Sequence, residues 1–262
     1  MGDKDERSHP EAKVRPKPNF QSSQYLHWDF YASAVSPSGD YWPGDEWGNE
    51  ATWKRNFEVL FLPNGVHEWK RCVEIGPGSG KYTLLVLKNS SAHVIAADIS
   101  AGYLAHFTAR MKAEGLTERV TEVLLNEEAT TLRKHIEHKG WAGSVDCVYS
   151  IDAMVHVDLQ YLIIYLVTAA HAMKRGGKLV LTLANACSEK GFRKLVDDAP
   201  RMLARIHTHN SKFEWMSPDL VTSIFPRLGF DIDVLHTKER DMLLAATLVR
   251  KLDDDTILKC IM

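Results

Sequence analysis

In the run Cys72-Val73-Glu74-Ile75-Gly76-Pro77-Gly78-Ser79-Gly80, glycines occupy alternate positions behind an apolar, acid-bearing lead-in. A second apolar run, Val94-Ile95-Ala96-Ala97, ends on Asp98. These residues could hold an adenosine-containing molecule. Glycines let the backbone approach a ligand closely, and an acid at a strand end can accept hydrogen bonds from both ribose hydroxyls. The competing use of Asp98 is to cap the helix that follows. The glycine spacing narrows the choice. A dinucleotide loop wants G-x-G-x-x-G, with phosphate over the helix N-terminus. Here the last glycine of that pattern is replaced by Lys81, which argues against a nicotinamide cofactor.

A second group of candidates lies in Ser150-Ile151-Asp152-Ala153-Met154-Val155-His156-Val157-Asp158. The imidazole of His156 could take a proton from a hydroxyl. Asp152 could orient a substrate or pair with a positive amine. Asp158, just ahead of Leu159, has the character of an N-cap. Asn126-Glu127-Glu128 offers a polar side chain after the third strand-like run. The stretch Gly39-Asp40-Tyr41-Trp42-Pro43-Gly44-Asp45-Glu46-Trp47-Gly48 reads as a shaped loop. Tyr41, Trp42 and Trp47 could stack on a substrate there, and Asp45 or Glu46 could bind its polar or amine groups. His207 and His209 follow a charged helical stretch (189–206) and could face a substrate.

The elements that position these residues follow from periodicity. Strands are expected at 71–75, 93–98, 120–125, 145–150, 178–184, 230–236 and 243–250. Helical patterns lie between the first five, at 82–89, 103–114, 129–138 and 159–173. Alternating strands and helices predict an α/β, Rossmann-like, doubly wound sheet. It has seven strands, mostly parallel, with a C-terminal antiparallel hairpin made by the short polar link 237–241. Residues 1–20 read as a disordered tail, and 21–67 as an aromatic-rich N-terminal cap with Trp53, Phe57, Leu60 and Phe61 on one helical face. Residues 68–262 form the main domain, and an insertion at about 185–216 serves as a lid.

With 262 residues, 45% hydrophobic and 25% charged, the chain can bury a sizeable core. A net charge of −2 gives no general attraction to nucleic acid. The four cysteines are scattered. Cys72 and Cys147 fall in apolar runs and read as buried small hydrophobes, which fits a reducing, cytoplasmic setting. No membrane span, secretory signal or metal-ligand pattern is evident.

The pattern E-x-G-x-G-x-G at Glu74–Gly80, with Asp98 behind it, resembles motif I of the class I S-adenosylmethionine-dependent methyltransferases. The five alternating units, the Lys174-Arg175-Gly176-Gly177-Lys178 turn and the terminal hairpin extend the likeness over roughly residues 68–250. The resemblance implies S-adenosyl-L-methionine as cofactor. It assigns Glu74, Gly76, Pro77, Gly78 and Gly80 to the methionine and ribose part, and Asp98 to the ribose hydroxyls. It also puts Ile99 and Asn126 at the adenine, and Ser150 and Ile151 at the methionine end. The run Gly44-Asp45-Glu46-Trp47-Gly48 is similar to one in bacterial small-molecule methyltransferases. The expected reaction is methyl transfer to an oxygen or nitrogen of a small polar metabolite, such as a sugar, an amino sugar or another secondary metabolite. His156 and Asp152 are its candidate catalytic residues. A protein or RNA methyltransferase, a nicotinamide-dependent oxidoreductase and a non-catalytic binding module are the other readings. No nucleic-acid or membrane partner is expected. The oligomeric state is open, a homodimer included.

Overall fold

In a computed structural model of the chain, the described residues are 20–34, 42–46, 50–125, 130–203, 212–252 and 259. Tyr41, Trp47, Asn126, His207, His209 and nearly all of the 1–20 tail lie outside them.

The chain begins with α1 (Phe20–Ala34) and α2 (Glu50–Leu60). The main unit then alternates β1 (Arg71–Ile75), α3 (Lys81–Asn89), β2 (His93–Asp98), α4 (Ala101–Ala113), β3 (Val120–Leu124), α5 (Thr131–His138), β4 (Val145–Ser150), α6 (Leu159–Ala172) and β5 (Met173–Asn185). After α7 (Glu189–Leu203) come β6 (Trp215–Met216), α8 (Pro218–Ile224), β7 (Phe230–His236) and β8 (Asp241–Leu248). The strand order is β3-β2-β1-β4-β5-β8-β7, and β6 pairs with β5 off this path. The first five strands are parallel neighbours, whereas β8 runs antiparallel to both β5 and β7. The order reverses between β1 and β4. In such sheets ligands bind at that switch point, outside the carboxyl ends of the strands.

The sheet is the expected mostly parallel one, but it has eight strands where the periodicity gave seven. The eighth, β6, is only two residues long and lies inside the 185–216 insertion. It exists because β5 runs on to Asn185, so that Ala184 and Asn185 pair with Trp215 and Met216. A two-residue strand has no period to read. β5 also starts earlier than expected. Val145 pairs with Met173 and Cys147 with Lys178, so the glycine pair at 176–177 is a bulge within the strand.

Both faces of the sheet are covered. Leu132, Ile136, Leu162, Leu166 and Phe225 pack on one side against Val73, Ile95, Val148 and Leu179. Phe57, Leu60 and Phe61 of α2 pack on the other with Tyr82, Phe107, Cys72, Cys147 and Tyr149. A strand covered on both faces reads as a continuous apolar run, as β1, β2 and β4 do. Three side chains start helices as N-caps. Ser100, Asp158 and Ser217 accept from the amides of Tyr103, Tyr161 and Leu220 at 3.0, 3.0 and 3.2 Å.

The N-terminal helix is tied to α4 by polar contacts. Asp29 accepts from Ser100 Oγ at 2.6 Å and from the Gly102 amide at 3.0 Å, and the His106 ring meets the Ala32 carbonyl at 2.9 Å. A carboxylate over the first turn of α4 also suits that helix's positive end. None of the helices among the described residues is long and apolar enough to cross a membrane.

Candidate functional site

The loop from β1 to α3 turns through three left-handed glycines, Gly76 (φ 71°), Gly78 (φ 55°) and Gly80 (φ 88°). Only glycine adopts such angles without cost. Gly76 has a second constraint, because a Cβ built there would lie 2.3 Å from the Cβ of Ala153. The glycine loop backbone therefore packs directly on the Ala153 side chain of the segment after β4. Gly76→Ala is expected to separate them and abolish ligand binding, measured by calorimetric titration; retained affinity would mean the loop can move aside.

The loop, the ends of β2 and β4 and the cap enclose one cavity. Of the residues singled out from the sequence, Glu74, Gly76, Pro77, Gly78, Asp98, Ile99, Ile151, Asp152 and His156 line it. Gly80 and Ser150 do not. Gly80 gives α4 room, since a Cβ there would meet Phe107 and Met111 at 2.8 and 2.9 Å. The Ser150 hydroxyl donates to the Ile75 carbonyl at 2.6 Å and ties β4 to β1.

Asp98 is buried at the end of β2. Its two oxygens accept from the amides of Gly78 (3.1 Å) and Ser100 (2.9 Å). It caps nothing; Ser100 does that for α4. The Ile99 amide is a third backbone donor to it, and a carboxylate can accept about four hydrogen bonds, so acceptor capacity remains toward the cavity. Burial pushes its pKa up to about 6, against the pull of those amides. Glu74, one turn of the loop away, is pushed up to about 7 by burial and accepts from the Thr83 hydroxyl.

His156 sits between the rings of Trp28 and Phe213, 5.1 and 5.0 Å away. Its Nδ1 is 2.9 Å from the Lys212 carbonyl, which can only accept, so Nδ1 carries the hydrogen and Nε2 the lone pair. From its sequence context this imidazole was a candidate proton acceptor. Burial drives its pKa down to about 4, leaving a neutral ring and a weak base.

Asp152 is half-buried at the cavity wall with φ 62°, the one non-glycine among the described residues on the left-handed side. Its amide donates to Thr182 Oγ1 at 2.8 Å, which helps to fix this backbone.

The cap turn 42–46 behaves differently from the expectation that its acids meet a substrate. Asp45 is buried and paired with Arg110 of α4 at 3.1 Å, with the side chains 6% and 9% exposed. The Trp42 ring lies 5.9 Å from the same guanidinium, and Glu46 accepts from the Gly44 amide at 2.7 Å. Pro43 and Gly44 reach the cavity instead. An acid in a tight turn can be claimed by a distant cation, and local sequence carries no sign of it.

Several lining residues were not singled out: Trp28, Lys81, Tyr82, Tyr103, Tyr161 and Tyr165. Lys81 had entered only as a missing glycine. Its ammonium donates to the Gly44 carbonyl at 3.1 Å and lies 4.0 Å from the centre of the Trp53 ring; burial lowers its pKa to about 8. Its place directly after the loop was the available signal. Trp28 was visible only as part of the cap's aromatic density.

Comparison with known proteins agrees with this geometry. Residues 72–177 match a family model described as a methyltransferase domain. No curated protein matches by sequence. Among solved structures, magnesium protoporphyrin IX methyltransferase from Synechocystis PCC 6803 is 15% identical, with a TM-score of 0.59 over 87% of this chain and 95% of that one. Geranyl diphosphate C-methyltransferase from Streptomyces coelicolor A3(2) is 14% identical, with a TM-score of 0.58 over 90% of this chain and 100% of that one. A phosphoethanolamine N-methyltransferase from Haemonchus contortus is 21% identical, with a TM-score of 0.51 over 69% of this chain. This chain spans only 38% of that enzyme's length. At such identities the likeness is one of fold.

Proposed function

We propose, from the class I methyltransferase domain that this chain carries, that it binds S-adenosyl-L-methionine and transfers the methyl group to an oxygen or nitrogen of a small polar molecule. The observation that carries the reading is Asp98. It is a buried carboxylate beside the glycine loop, with open acceptor positions on the cavity where a ribose diol would lie. The charge of the lining supports it. Glu74, Asp98 and Asp158 border the cavity, with Lys81 the one lysine or arginine among its described lining residues, which suits a sulfonium-bearing cation.

In this reading the glycine loop lets the methionine part approach the backbone, and Ile99 and Leu125 border the base. Methyl transfer from a sulfonium is an in-line displacement, so the protein contributes mainly position and exclusion of water. Trp28, Pro43 and Gly44 form the cover. Calorimetric titration with S-adenosylmethionine and S-adenosylhomocysteine, with NAD as control, tests the reading. Micromolar binding of the first two supports it, and binding of NAD alone would overturn it.

His156 presents the Nε2 lone pair. On a hydroxyl acceptor, His156→Ala is expected to lower kcat roughly a hundredfold. The wild-type profile should show no imidazole inflection near pH 6.5, because the ring titrates at about 4. A pH series of both proteins checks this; unchanged kcat in the variant removes proton transfer from its role.

A further inference from the structure

Resting on the methyltransferase reading, we propose that Asp152 anchors the acceptor and that the acceptor is an amine, methylated on nitrogen. Three observations converge on this residue. First, its place is beside the reacting end. Ile151 lines the cavity, and Ala153 is the residue against which Gly76 packs. Second, its carboxylate accepts no hydrogen bond from any described residue, although the backbone beneath it is fixed in a conformation that costs free energy outside glycine. Aspartate tolerates that region better than most residues, and the half-buried side chain borders the cavity, where a donor on a bound molecule can reach it. Third, the charged groups around it are engaged with other partners. Arg240 is held by Asp241 through Nε at 3.0 and 3.1 Å, and Lys81 donates to the Gly44 carbonyl and faces Trp53. Burial raises the Asp152 pKa above the usual carboxylate value, with Asp241 adding to the rise and Lys81 and Arg240 opposing it.

The chemistry follows from charge movement. The acceptor reacts as a neutral amine that has already given its proton to solvent. The nitrogen lone pair forms the N–C bond as the C–S bond breaks, and that electron pair stays on sulfur. The positive charge thus leaves the sulfonium and appears on the nitrogen, giving a methylammonium and a neutral thioether. A fixed carboxylate beside that nitrogen stabilises the charge as it develops. A hydroxyl acceptor would need its proton removed during the step, and His156 is a weak base for that. Toward an amine, the Nε2 lone pair only has to accept an N–H hydrogen bond.

Tritiated S-adenosylmethionine is incubated with the full chain and acceptor pairs that differ at one atom. These are benzylamine against benzyl alcohol, ethanolamine against ethylene glycol, and glucosamine against glucose. Label is expected on the amines. Asp152→Asn, which keeps the shape and tolerates the backbone angle, is expected to lower kcat/KM for the amine by about ten- to a hundredfold. S-adenosylhomocysteine affinity and melting temperature should not change. Asp152→Gly relieves the backbone and should show the same kinetic loss, which excludes misfolding as its cause. Label on alcohols alone, no label on any amine by protein that binds S-adenosylhomocysteine, or an unchanged kcat/KM in Asp152→Asn overturns the proposal. Folded protein that does not bind S-adenosylhomocysteine overturns the methyltransferase reading itself, and this inference with it.

Discussion

Asp98→Ala is expected to weaken S-adenosylhomocysteine binding by about two orders of magnitude or more, with the fold intact. The size follows from what is lost. Two ribose hydroxyls would donate to a charged acceptor, and each such bond contributes roughly 1.5–3 kcal/mol. The same residue sets a pH dependence. Hydroxyl donors favour the ionised carboxylate, and burial has raised its pKa to about 6. Affinity should therefore be constant well above pH 6 and fall by up to tenfold per unit as the pH drops below it. Isothermal titration between pH 5 and 8, on wild type and Asp98→Asn, checks both statements. An unchanged affinity in Asp98→Ala would remove the ribose assignment. The variant also loses the acceptor for the Gly78 and Ser100 amides, so its melting curve is the necessary control.

The second large effect concerns stability. Arg110→Ala should destabilise the protein by about 3–5 kcal/mol, because it leaves Asp45 buried without its cation. For a chain of this size that corresponds to a fall in Tm of roughly 10 °C. The guanidinium also reaches Ser79 Oγ at 3.4 Å, so it joins the cap turn to the glycine loop. Cofactor affinity should decline along with stability. Replacing both partners at once, Asp45→Leu with Arg110→Met, should recover much of the loss, since a buried pair is replaceable by apolar groups where a lone buried charge is not. Differential scanning calorimetry of the two single variants and the double variant decides it. A single variant that melts within about 1 °C of wild type would show that water reaches Asp45.

Much of this molecule was readable along the chain. β1, β2, β4 and β7 match their expected bounds: the first three are apolar runs buried on both faces, and β7 shows the half-exposed pattern of an edge strand. The helix start at Asp158 was legible from its capping side chain, whereas the caps Ser100 and Ser217 were not singled out in the sequence. The β8 start was misplaced by two residues because its first pairing, Asp241 with Ala184, depends on how far β5 extends.

Fold class and the glycine loop with its acid could be read from the chain alone. Those features rest on periods of two and 3.6 residues and on backbone angles that only glycine supplies. What Asp45, His156 and Lys81 do emerged only in the folded chain. The use of Asp45 depends on Arg110, sixty-five residues away in the chain. The character of His156 depends on burial between Trp28 and Phe213. Lys81 became a cavity residue only when the Gly44 carbonyl and Trp53 closed over it. Charge state and partner choice are set by what surrounds a group in space, and nothing local to these residues encodes that.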